Sequence, residues 1–130
     1  MTVSQALEKL SAYEKLMFTY NHASGLMYYD GATVAPRGSA DLRADTLGEL
    51  ARLSYALTTA PETVEMLRTL VEARDRLDPV TARKVSELWR DYEMTHRVPE
   101  EEFVAYQQLT SKADAVWHEA KERSDFALFE

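Results

Sequence analysis

Apolar residues at the start of the chain return at the spacing of one helical face. Val3, Leu7, Leu10, Tyr13, Met17, Tyr20 and Met27 step by three or four, with one longer step. A strand would alternate every second residue, so this stretch reads as a long amphipathic helix. Thr2 followed by Gln5 supplies a capping box at its start, and the helix is expected to end near Asp30-Gly31. With only four glycines and four prolines in 130 residues, a turn-rich β design is disfavoured.

Further starts and stops divide the rest. Gly31 to Gly38 holds Pro36 and no helical period, and reads as a loop. Ser39 is then a candidate cap for a second helix with the stripe Leu42, Leu47, Leu50, Leu53 and Leu57. Thr59 is placed as cap of a third, with Pro61 in its first turn, Glu62 reaching back, and Val64, Leu67, Leu70 and Val71 inside. Asp78-Pro79 opens a fourth, whose apolar face is Val85, Leu88, Trp89 and Tyr92. Val98 precedes Pro99 and should leave the helical region. Glu100, Glu101 and Glu102 then favour the positive end of a fifth helix. Phe103, Tyr106, Leu109, Ala113, Val116, Trp117 and Ala120 are expected to turn inward. Ser124-Asp125 would cap one last turn burying Phe126 and Phe129. The expected fold is all-α: antiparallel helical hairpins of about five helices in a single domain over residues 1–130.

Charge narrows the partners. Fifteen Lys and Arg against 22 Asp and Glu give a net charge of −7, which repels nucleic-acid phosphates and anionic lipid. Neither a nucleic-acid nor a membrane role is expected. The absence of cysteine removes disulfide and thiolate chemistry. The opening MTVSQALEKL has no charged-then-apolar leader, so a cytoplasmic protein is expected.

Candidate chemistry is sparse. Glu93 and His96 have the (i, i+3) spacing of helical di-metal sites, but such sites need a second copy and two further Glu. Asp114 and His118, at (i, i+4), could share a metal or a hydrogen bond, with no third ligand nearby in sequence. His22 sits beside an aromatic-rich face and reads as a packed or capping residue. Ser24-Gly25 lacks the frame of a nucleophile elbow, and Gly31 and Gly38 flank a proline stretch that cradles no phosphate. Glu119 and Glu122 read as a solvated face. Tyr13, Tyr20, Tyr28 and Tyr29 read as packing, with a protein-binding surface as the minority reading. No catalytic, cofactor-binding or metal-binding residue is assigned.

One resemblance runs through most of the chain. Tyr29-Asp30-Gly-Ala-Thr33-Val-Ala-Pro36 is followed by a helix ending Leu50-Ala-Arg-Leu53. Arg90-Asp91-Tyr92-Glu93 comes next, with Thr95-His96-Arg97-Val98-Pro99, then Ala115-Val-Trp117-His-Glu-Ala120-Lys and Ser124-Asp125-Phe126-Ala127. Their order and spacing resemble the N-terminal region of the thermostable zinc carboxypeptidases, the carboxypeptidase Taq family. The family pattern has Trp where Tyr29 stands, and polar residues where Gly31 and Ala32 stand. The resemblance implies helical, cytoplasmic, usually dimeric enzymes that remove C-terminal residues from peptides. Their zinc ligands lie on an H-E-x-x-H helix and a later Glu, downstream of the matched region. It therefore implies a chain inactive by itself, with no zinc of its own, whose partner is the catalytic part of the same polypeptide. Two readings stand beside it: a stand-alone, homodimeric interaction module, and a small helical metal binder built on Glu93, His96, Asp114 and His118.

Overall fold

The computed structural model describes residues 1–129. They form six helices: α1 Val3–Thr33, α2 Ala40–Thr59, α3 Pro61–Glu72, α4 Pro79–Thr95, α5 Glu100–Arg123 and the short α6 Phe126–Phe129. Single 3-10 turns at Arg37–Ser39 and Arg74–Arg76 sit between them. No strand occurs among the described residues, so the all-α expectation holds. The chain falls into two compact units, Met1–Thr19 with Ser54–Pro99, and Tyr20–Leu53 with the stretch from Glu100 onward.

The first unit has the conventional core. Ala6, Leu10 and Tyr13 of α1 pack with Met66, Leu67 and Leu70 of α3 and Val85 of α4, all buried. Leu57, Leu88, Trp89 and Tyr92 close over them in part. Each fully buried large side chain contributes about 1.5–3 kcal/mol of transfer free energy, which sets the scale of this unit's stability. Local signals place the helices. The backbone N–H of Thr2 donates to Gln5 Oε1 at 2.9 Å, and that of Gln5 donates to Thr2 Oγ1 at 3.2 Å, closing the expected capping box. Asp78 accepts from the N–H groups of Val80 and Thr81, both at 3.1 Å, at the start of α4.

Between α2 and α3 the expected cap is displaced. Thr59 is the last residue of α2, and its hydroxyl donates to Tyr55 O at 2.8 Å, back within its own helix. Ala60 holds the N-cap position without a side-chain hydrogen bond. Thr63 donates to Leu57 O at 2.8 Å instead, meeting a carbonyl left over at the end of α2. Glu62 pairs with Lys9 rather than reaching back to a cap. At the end of the unit, α4 stops at Thr95, and the Tyr55 hydroxyl donates to Val98 O at 2.8 Å, pinning the residue before Pro99.

The second unit is built differently. Its buried hydrophobic residues are Ala44, Val104 and Ala120, all small or medium. Helix α1 runs through Gly31 to Thr33, so the expected loop shortens to the turn around Pro36. Ser39 is not a cap: it lies in the 3-10 turn, where its hydroxyl donates to Pro36 O at 2.7 Å. Arg52 joins α2 to the start of α5 through Glu100 at 2.7 Å, with Glu49 at 3.8 Å.

The stripes assigned to α2 and α5 are partly reversed. Leu42 and Leu53 are exposed. In α5, Val104 is buried and Gln107, Gln108 and Ser111 are partly covered, whereas Tyr106, Leu109, Val116 and Trp117 face solvent. Leu109 is 65% exposed. Phe126 and Phe129, expected inside, are 69% and 55% exposed. Period alone locates an apolar face but not what covers it, and nothing among the described residues covers this one.

Helix α5 ends in a Schellman arrangement. Asp125 N–H donates to Ala120 O at 2.9 Å and Ser124 N–H to Lys121 O at 3.3 Å, with Ser124 at φ 51° in the left-handed region that glycine prefers. Asp125 then accepts from Leu128 N–H at 3.2 Å, the capping role expected of it.

Candidate functional site

In the second unit the end of α1, the turn through Pro36, the first turn of α2 and the last half of α5 enclose a polar cleft of about 530 Å3. The sequence Tyr29 to Pro36, singled out above, supplies part of its wall through Gly31, Thr33 and Pro36. The cleft's charges are mostly paired. Arg37 Nη2 meets Glu122 Oε2 at 2.7 Å, Lys112 Nζ meets Asp41 Oδ1 at 3.4 Å, and Arg123 Nη1 meets Glu119 Oε1 at 2.8 Å. These exposed pairs position side chains more than they stabilise the unit.

Arg43 is the exception among the lining cations. It reaches no carboxylate among the described residues; its Nη1 donates to Ser39 Oγ at 3.2 Å. The guanidinium lies against Gly31. A Cβ built there would sit 2.6 Å from Nε, 2.8 Å from Cζ and 3.1 Å from Nη2. Such near-equal distances put the glycine over the flat face of the group. Gly31 thus stays inside α1, despite its low helix propensity, as the residue that leaves room for Arg43.

The candidate pairs of the sequence meet only in part. His118 Nε2 lies 3.8 Å from Asp114 Oδ2, on the cleft wall. His96 does not engage Glu93. Its Nδ1 lies 2.9 Å from Tyr92 O, its ring stacks on Tyr92 at 4.7 Å, and it closes the end of α4. His22 lies exposed in mid-α1. The tyrosines split: Tyr13 is buried in the first unit, while Tyr28 and Tyr29 are 61% and 67% exposed. Among the described residues no group of three or more His, Asp or Glu is placed to hold a metal ion. Nothing in the sequence marks Arg43, since an arginine in a helix is ordinary. The available signal was an isolated glycine within a helical pattern, at Gly31.

The fold and motif order place this chain in the class of all-helical regions of metallopeptidases. The family model for the Carboxypeptidase Taq (M32) metallopeptidase matches residues 9–130, and the chain belongs to that family. It is 34% identical to Carboxypeptidase 1 of Bacillus subtilis, over 93% of this chain and 26% of that protein. Thermostable carboxypeptidase 1 of Thermus thermophilus is 28% identical over 99% of this chain and 26% of its own. The BsuCP crystal structure superposes with a TM-score of 0.88 at 32% identity, over 97% of this chain and 25% of that one. The chain thus spans about a quarter of the length of the relatives it matches. Among the described residues no helix is long and apolar enough to cross a membrane.

Proposed function

We propose that this chain forms the N-terminal helical region of a zinc-dependent carboxypeptidase that releases C-terminal residues from peptides, and that it does not hold the metal itself. The observation that carries the reading is the outward apolar face of α5 and α6, on a chain a quarter as long as its relatives. Soluble monomers rarely leave large contiguous apolar surface in water, and a catalytic region packed on this face would cover it. Peptide hydrolysis by zinc needs several fixed ligands, an open position for water and a general base. The residues of this chain do not fit that metal, since no three candidate ligands converge among those described. No chemical step is therefore assigned to them. The same reading puts the protein in the cytoplasm and in a dimer, on the family resemblance alone.

Two measurements test this. The purified chain should bind no stoichiometric zinc and release no C-terminal amino acid; chelator-sensitive turnover would sink the reading. A chimera in which this chain replaces the matching quarter of the Bacillus subtilis relative should be soluble and trim peptides. An insoluble or inert chimera counts against it. A chain that dimerises alone by light scattering, with Trp117 shielded from a quencher, would favour the stand-alone interaction module instead.

A further inference from the structure

We propose that Arg43 is the anchor of a small-molecule oxyanion site in the cleft of the second unit, taking a carboxylate or a phosphate group. The inference does not depend on peptide trimming. Three observations converge on it. Arg43 alone among the lining Lys and Arg residues has no carboxylate partner among the described residues, while Arg37 and Lys112 are matched to Glu122 and Asp41. The guanidinium is held on two sides, by Ser39 Oγ at Nη1 and by Gly31 across its face. The Nε–Nη2 edge, which presents two parallel N–H donors, is left without an acceptor among the described residues. That edge matches the two oxygens of a carboxylate or phosphate in bidentate fashion.

The size is suitable, because clefts of roughly 300–1,000 Å3 are those that hold small organic ligands. Pre-ordering matters as much. A free arginine loses side-chain freedom when it captures an anion, whereas this one is already fixed, so less of the binding free energy is spent on ordering it. Lysine would keep the charge and lose the fork. Alanine at position 31 would keep Arg43 and occupy the space over its guanidinium.

The test is a titration of the isotopically labelled chain with sodium acetate and with inorganic phosphate at constant ionic strength, using chloride as reference. The readouts are the Arg43 Nε–H and Gly31 amide signals. Saturable shifts at millimolar anion are expected, with chloride giving none. Saturation by acetate alone identifies an organic-acid site, and by phosphate alone a phosphate site; either supports the proposal. Arg43→Lys and Gly31→Ala should each weaken binding about tenfold or more while the helical circular-dichroism signal is retained. If one variant fails to fold, the other together with the chloride comparison still decides. Linear shifts without saturation, equal shifts with chloride, or folded variants that bind as the parent does would overturn it.

Discussion

The phenol of Tyr13 on α1 and the hydroxyl of Thr58 on α2 lie 3.4 Å apart, both buried, so one polar pair is closed within an apolar core. Burial pushes the Tyr13 phenol above its usual value; the Thr58 hydrogen bond opposes this and Asp91 adds to it. A raised folded pKa means full stability below the unfolded pKa of about 10, lost as pH climbs through the folded value. The melting temperature should therefore fall above about pH 10, and Tyr13→Phe should flatten that alkaline slope. At neutral pH the same substitution should cost about 0.5–1.5 kcal/mol. An unchanged slope in the variant would refute the assignment.

Leu67 is fully buried and Leu109 is mostly exposed. Leu67→Ala should cost this chain roughly 2–5 kcal/mol by denaturant unfolding. Leu109→Ala should change it by no more than about 0.5 kcal/mol. Equal losses would mean that the α5 face is covered in the chain alone.

Backbone chemistry offers two stabilising changes. Gly25 lies within α1 with nothing within 4 Å of a Cβ, so Gly25→Ala should stabilise by about 0.5–1 kcal/mol. Ser124 holds a left-handed conformation at the end of α5, and Ser124→Gly should gain up to about 1 kcal/mol. Both are read from melting curves, and a loss at either position would contradict the local geometry.

Asp78 caps α4, and its hydrogen bonds to Thr81 and Val80 hold its carboxyl below the ordinary carboxylate value. A depressed folded pKa gives stability that is present above the unfolded value, about 3.9, and lost as pH falls through the folded one. Asp78→Ala should lower the melting temperature at pH 7 and have progressively less effect on acidification. A carbon-detected titration of Asp78 checks the direction.

What could be read from the sequence was local. Thr2 with Gln5, and Asp78 before Pro79, bond within three residues, so their roles follow from spacing. Thr59 failed because its hydroxyl turned back to Tyr55 while Thr63 took the free carbonyl, a choice made by the tertiary junction. Gly31 reads as a breaker, yet it lies inside α1, at a point where a Cβ would meet the Arg43 guanidinium of α2. The burial of α5 departs furthest from the sequence pattern. Its apolar face is plain in the sequence, but whether a face meets this chain or something beyond it leaves no mark in the period. Arg43 was invisible for the same reason, since its character comes from the carboxylates that reach its neighbours and not it.

The concentration of large buried side chains around Leu67 and Leu70 gives the chain an uneven resistance to opening. In heavy water, backbone amides of α3 and the middle of α4 should trade hydrogen for deuterium last, through near-global unfolding. Those of α5 and α6 should exchange through cheaper local fluctuations. A partner that settles on Trp117 and Phe126 would slow exchange there first, so its arrival can be followed as a gain in protection before any activity is measured.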